Sequence, residues 1–110
     1  MDHLQGTLEM LVLRTLAGGP LHGYGIARSI RHSSDEALHI EFGSLYPALK
    51  RLEAKRWISS CWETSETNRR AKFYKLTAAG RKQLVREHVR WADFVSAIGR
   101  VMGTAPRVKQ

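Results

Sequence analysis

Ser44, Tyr46, Pro47, Lys50 and Arg51 bring a hydroxyl, a phenol, a proline ring and two cations into one short segment. At about 100° per residue, these side chains fall on the opposite side of a helix from Leu45, Ala48, Leu49 and Leu52. One face packs and the other is free to touch something. A second group, Asn68, Arg69, Arg70 and Lys72, lies in and just after a polar stretch, and His22 and Tyr24 stand at the start of another helical pattern. The chemistry such groups can do is recognition: ion pairs and hydrogen bonds to an anion, with no bond made or broken. Catalysis has no foothold. The five histidines have no neighbouring nucleophile, there is no carboxylate pair at a recognisable spacing, and every glycine cluster sits where a turn explains it. Neither a CxxC nor a paired-histidine spacing offers a metal site. The expectation is therefore no enzyme, no cofactor and no metal.

The charge balance points the same way. A formal charge of +8 and a pI near 10.3 call for a polyanionic partner. Ten of the eighteen cations lie between Lys50 and Lys82, against the acids Glu53, Glu63 and Glu66. The lone cysteine, Cys61, cannot close an intramolecular disulfide and reads as a small half-buried strand residue in a reducing compartment. The opening residues lack a cationic n-region and a cleavage site, and no apolar run approaches the roughly 18 residues of a membrane span. A cytoplasmic protein without a membrane partner is expected.

The elements that must position these groups follow from pattern and punctuation. A first helix is expected over residues 4–17, apolar on two sides: Leu8, Leu11, Val12, Thr15 and Leu16 on one, Met10 and Leu13 on the other. A helix of this kind is buried from two directions, the second being either the core of a monomer or another subunit. Gly18-Gly19-Pro20 ends it. A second helix over residues 23–31 turns Ile26, Ala27 and Ile30 inward, with His22 as its cap; for His22 and Tyr24, a phosphate contact and local capping and packing are both open. Residues 32–41 read as a connection with a short helical turn or a strand-like end at 38–40. The third helix begins near Ser44, a good N-cap, with Pro47 in the first turn where its missing N–H costs nothing.

Period-two patterns then mark strands at residues 57–63 and 71–76, around a polar loop. This is a hairpin with a cationic tip beside a cationic helix, the arrangement called a wing. Thr77 caps a long helix reaching residue 102. Along it, Leu84, His88, Trp91, Val95, Ile98 and Met102 step 4-3-4-3-4, the heptad spacing of a two-helix seam. A dimer sealed by this helix and the outer side of the first, with Met10 and Leu13, is expected. The fold class is mainly α with a small β-hairpin: a winged helix-turn-helix over residues 1–76, a dimerisation helix over 77–102 and a flexible basic tail over 103–110.

The order of elements, with LHGYGIA, GSLYPALKRLE and KFYKLTAAGRKQL in sequence, resembles the PadR family of bacterial transcriptional regulators, in its short form with a single C-terminal helix. The resemblance runs over residues 4–102. It implies a dimeric repressor of pseudo-palindromic operators in double-stranded DNA, with Ser44, Tyr46, Pro47 and Lys50 facing the major groove and Asn68, Arg69 and Arg70 on the wing. Arg51, Lys72, His22 and Tyr24 complete the expected DNA-binding set. Some relatives bind flat aromatic compounds between subunits, and Trp91, Phe94 and Val95 could line a comparable site or simply pack the seam. His88 in that seam is a packing residue or a pH-responsive one.

Two departures stand out. Arg56 replaces the glycine usual between the recognition helix and the first strand, and Thr67-Asn68 replaces the glycines of the wing. Asparagine tolerates positive φ. The alternative to DNA regulation is a winged-helix interaction module whose basic face meets an acidic protein or RNA.

Overall fold

Caps and turns divide the described residues into four helices and a small sheet. The computed structural model describes residues 3–103, and only the backbone of residues 3–5; most of the expected basic tail lies outside the described residues. Helix α1 spans His3–Leu16, strand β1 Leu21–His22, α2 Gly23–Ser33 and α3 Phe42–Ala54; β2 (Ile58–Thr64) and β3 (Arg70–Leu76) form the wing, and α4 spans Ala78–Met102. The sheet is antiparallel in the order β1-β3-β2. Its register runs from Ile58 opposite Leu76 to Thr64 opposite Arg70, and β1 adds Leu21 opposite Tyr74 and His22 opposite Phe73. Two residues carry no readable period, so β1 has no sequence signature and exists only because β3 offers it a free edge.

The core joins α1, α2, α3 and the base of the wing. Val12, Leu13, Leu16, Ile26, Ile30, Leu45, Leu49, Leu52, Ile58, Tyr74 and Leu76 form one cluster. Leu45, Ala48, Leu49 and Leu52 are all buried, as helical periodicity requires. Leu13 is a correction: at 1% exposure it belongs to this core and has no surface left for a partner, whereas Met10 is half-buried. Cys61 is also corrected, to an exposed strand residue.

Helix α3 starts two residues before the expected Ser44. Glu41 is its N-cap and makes no side-chain capping bond, while the Ser44 and Leu45 N–H groups donate to the Glu41 carbonyl. Pro47 therefore lies in the second turn, not the first, and the Gly43 carbonyl goes without its usual i+4 donor. The segment before it holds no strand-like end. After α2, Asp35 and Glu36 take φ of 52° and 68°, and the chain runs irregularly to Glu41.

The two glycine replacements resolve differently from one another. Arg56 itself adopts the left-handed conformation, φ 63°, as the residue after the α3 cap. Its N–H donates to the Glu53 carbonyl and that of Trp57 to Leu52, the paired bonds of a Schellman motif. Asn68 likewise sits at φ 60° in the wing turn. A left-handed arginine carries a Cβ penalty of about 1–2 kcal/mol, offset in part by the extra freedom glycine has when unfolded, about 0.4–1 kcal/mol. Arg56→Gly is therefore expected to raise stability by on the order of 0.5 kcal/mol, measured as a higher urea midpoint with unchanged slope.

Thr77 caps α4 as expected: its Oγ1 accepts from the Gly80 N–H at 3.0 Å and donates to the Arg56 carbonyl at 2.8 Å. The helix is about 37 Å long at 1.5 Å per residue, and among the described residues its buried positions, Gly80 and Gln83, lie near its start. Leu84 lies against the core, which removes it from a freely exposed seam. Beyond it Trp91, Val95, Ile98 and Met102 are exposed, and the molecule is extended, 52 × 33 × 23 Å.

Candidate nucleic-acid interface

Phe42, Tyr46 and Lys50 follow one another at four-residue steps along α3, so they form a single ridge on its outer side. The Phe42 and Tyr46 rings stack, with centroids 5.8 Å apart and planes at 30°. Ser44, Pro47 and Lys50 are exposed beside them. Tyr46 leans toward the start of α2, where Gly23 makes room for it: a Cβ on Gly23 would lie 2.6 Å from the Tyr46 hydroxyl oxygen. The glycine thus sets the position of the tyrosine.

Beside this ridge, an open cleft of about 1260 Å³ separates α2 from the wing. His22, Tyr24, Arg28, Ser29 and His32 line its α2 side, Trp62, Thr67, Arg69, Arg70 and Phe73 its wing side, and Tyr46 reaches into it from α3. The structure brings together His22, Tyr24, Tyr46, Arg69 and Arg70, which are scattered in sequence. Asn68 stands at the wing tip, exposed. Cations on two walls and hydroxyl donors between them suit a strand of phosphates.

His22 does the local work one of its two readings required. Its Nδ1 accepts from the Gly25 N–H at 2.9 Å, and its ring meets Phe73 edge-on at 5.1 Å. An accepting Nδ1 puts the proton of a neutral ring on Nε2, leaving one donor for the cleft. Tyr24, by contrast, is exposed.

Two cations of the expected set are engaged by carboxylates, although Lys72 still lines the cleft. Arg51 Nε lies 3.3 Å from Glu9 Oε1, so this side chain folds back onto α1 instead of projecting with Lys50. Lys72 Nζ lies 3.5 Å from Glu53 Oε1 and sits over the Tyr74 ring at 5.7 Å. Glu53 also accepts from the Ser60 hydroxyl, so one carboxylate ties the recognition helix to both strands of the wing. Burial, with Glu53 and then Tyr46 beside it, pushes the Tyr74 phenol above its usual value, and it stays neutral at ordinary pH.

Sequence reading missed Phe42, Arg28, His32 and Trp62. A signal existed for two of them: Tyr24, Arg28 and His32 repeat every fourth residue, one stripe of α2. Trp62 gave none, because a strand tryptophan is as often core as surface; here it is 57% exposed, with the Arg70 guanidinium 5.7 Å from its ring.

At the other end of the molecule, Arg14, Ala17, Leu84, Val85, His88 and Val89 line a shallow apolar hollow of about 390 Å³ between α1 and α4. His88 and Trp91 meet edge-on at 6.3 Å, and Trp91, Phe94 and Val95 are exposed along α4. Among the described residues, no helix is long and apolar enough to cross a membrane.

Comparison with known proteins agrees with this architecture. A transcriptional regulator from Clostridium thermocellum superposes with a TM-score of 0.81 at 30% identity, covering 91% of this chain and 97% of that one. A PadR family regulator from Eggerthella lenta gives 0.74 at 31% identity over 93% and 88% of the two chains, and one from Clostridium difficile 0.75 at 28% over 87% and 98%. A 37.1 kDa protein in transposon TN4556 of Streptomyces fradiae is 47% identical over 79 residues, which are 72% of this chain and 21% of that protein; the chain spans about a fifth of that relative. The Transcriptional regulator PadR-like family matches residues 12–86. With a winged helix, a cationic recognition ridge and this match over most of its length, the chain belongs to the PadR-like family of DNA-binding transcriptional regulators.

Proposed function

We propose that this protein is a homodimeric repressor of a pseudo-palindromic operator. Residues 1–76 read the DNA and α4, with the outer side of α1 at Met10, joins the two copies. The observation that carries this reading is the shared face of the α3 ridge and the α2–wing cleft. Ser44, Tyr46, Pro47 and Lys50 enter the major groove, while Arg28, Asn68, Arg69 and Arg70 hold the flanking phosphates, with Tyr24 and the Nε2–H of His22 as further donors.

Dimerisation follows from energetics: His88, Trp91, Val95, Ile98 and Met102 leave an apolar seam in water, at roughly 1.5–3 kcal/mol for each large apolar side chain. Pairing would set two recognition helices about 34 Å apart, one turn of B-DNA. A planar aromatic compound held between the copies against Trp91, Phe94 and Val95 is the proposed releasing effector.

The test is duplex selection from random DNA, followed by titration of two variants. Lys50→Ala should weaken the selected duplex roughly 5- to 100-fold for each half-site, the range for loss of one base contact. Arg51→Ala should change it less than about threefold, because its guanidinium is held by Glu9 on α1 in a part-buried ion pair off the exposed α3 face. An effect of Arg51→Ala equal to that of Lys50→Ala would overturn this assignment of the α3 face.

A further inference from the structure

Phe42 is an apolar ring placed where a soluble domain gains nothing from it. It is the first residue of α3, 45% exposed, and its ring stacks on that of Tyr46, itself 50% exposed. Neither belongs to the core cluster. The pair lies on the same ridge as Lys50, and Tyr46 also lines the cleft carrying Arg69 and Arg70, so a duplex held by those cations lies beside this ridge. In a helix laid in the major groove, the N-terminal residues approach the base edges. There the single apolar group is the 5-methyl of thymine, which distinguishes it from every other base.

Resting on the reading above, we propose that the Phe42–Tyr46 stack is a thymine-methyl reader: the half-site carries a thymine against the start of α3, recognised through its methyl group and not by a hydrogen bond. Gly23 sets this reader from behind, since the space it leaves fixes where Tyr46, and hence the stacked Phe42, can lie. Lys50, at the next step along the ridge, then falls on the neighbouring base pairs.

The experiment uses the duplex selected from random DNA and copies of it in which deoxyuridine replaces each thymine in turn, removing one methyl and no hydrogen-bonding group. At one position per half-site the intact protein should bind about fourfold more weakly per methyl lost, the factor for one buried methyl-sized group. Phe42→Ala, an exposed site where folding is not at stake, should bind the thymine and deoxyuridine duplexes equally, with the salt dependence of binding retained. An effect of the methyl on DNA shape alone would survive in that variant. Tight binding of the selected duplex that is indifferent to deoxyuridine at every position overturns the inference while leaving the operator reading intact. Discrimination that survives Phe42→Ala overturns the assignment to this ring. Failure to select any duplex removes both.

Discussion

Gly80→Ala lowers the stability of this protein by on the order of 3 kcal/mol, the upper end of overpacking costs in a packed interior, enough to drop the thermal midpoint by roughly 15 °C for a domain of this size. The reason is a backbone contact. A Cβ at Gly80 would fall 2.0 Å from the Trp57 carbonyl oxygen and 2.9 Å from its carbon, with Leu76 Cδ1 at 2.7 Å. A side chain could rotate away, but this carbonyl is fixed by the Thr77 N–H at 3.0 Å, and Trp57 closes the Schellman turn of α3. The first turn of α4 crosses the residue before β2 where a methyl group has no room.

Relieving the clash would move α4 away from the wing base and loosen Thr77 from Arg56. Gly43→Ala provides the contrast: nothing lies within 4 Å of a Cβ there, so the helix should gain up to about 1 kcal/mol. Thermal unfolding at one fixed protein concentration measures both, and a Gly80→Ala midpoint within two or so degrees of the parent would contradict the contact as described.

Arg69→Ala with Arg70→Ala should have the second large effect, on affinity. If each arginine meets one phosphate, a dimer loses four contacts. Each contact contributes about 0.9 to the slope of log K against log salt, so the slope should fall by about 3.6. At about 0.15 M salt the same relation gives roughly fivefold per contact, or several hundredfold for four. The loss should be nearly uniform across duplex sequences, because phosphates carry no sequence information. Stability should be almost unchanged, since both side chains are exposed and the turn is held by backbone bonds from Ser65 to Arg69 and from Asn68 to Ser65. Filter or fluorescence titrations at two salt concentrations give affinity and slope together. An unchanged slope would show that the wing cations do not meet the phosphate backbone.

The contrast between Arg69 or Arg70 and Lys72 shows how little formal charge alone decides. Alternation along a strand puts Arg70 and Lys72, two residues apart, on the same face of β3, yet Lys72 is held by Glu53 at 3.5 Å while Arg70 lies over the exposed Trp62 ring. Arg51 is lost to the interface in the same way. One helical step past Lys50, it comes within reach of Glu9 on a helix distant in sequence.

Residue type and period by themselves determined the helices, the wing, the buried face of α3 and the Thr77 cap, because each depends on neighbours within a few positions. They also determined that Asn68 could replace glycine, since asparagine carries its tolerance of positive φ wherever it stands. Only the tertiary structure decided what depends on distant partners. It put Leu13 in the core, tied Arg51 to Glu9 and Lys72 to Glu53, created β1 on an open edge of β3, and gathered Tyr24, Arg28, Trp62 and Arg70 around one cleft. Those outcomes are set by which surfaces meet when the helices pack on the sheet, and no local pattern records that meeting.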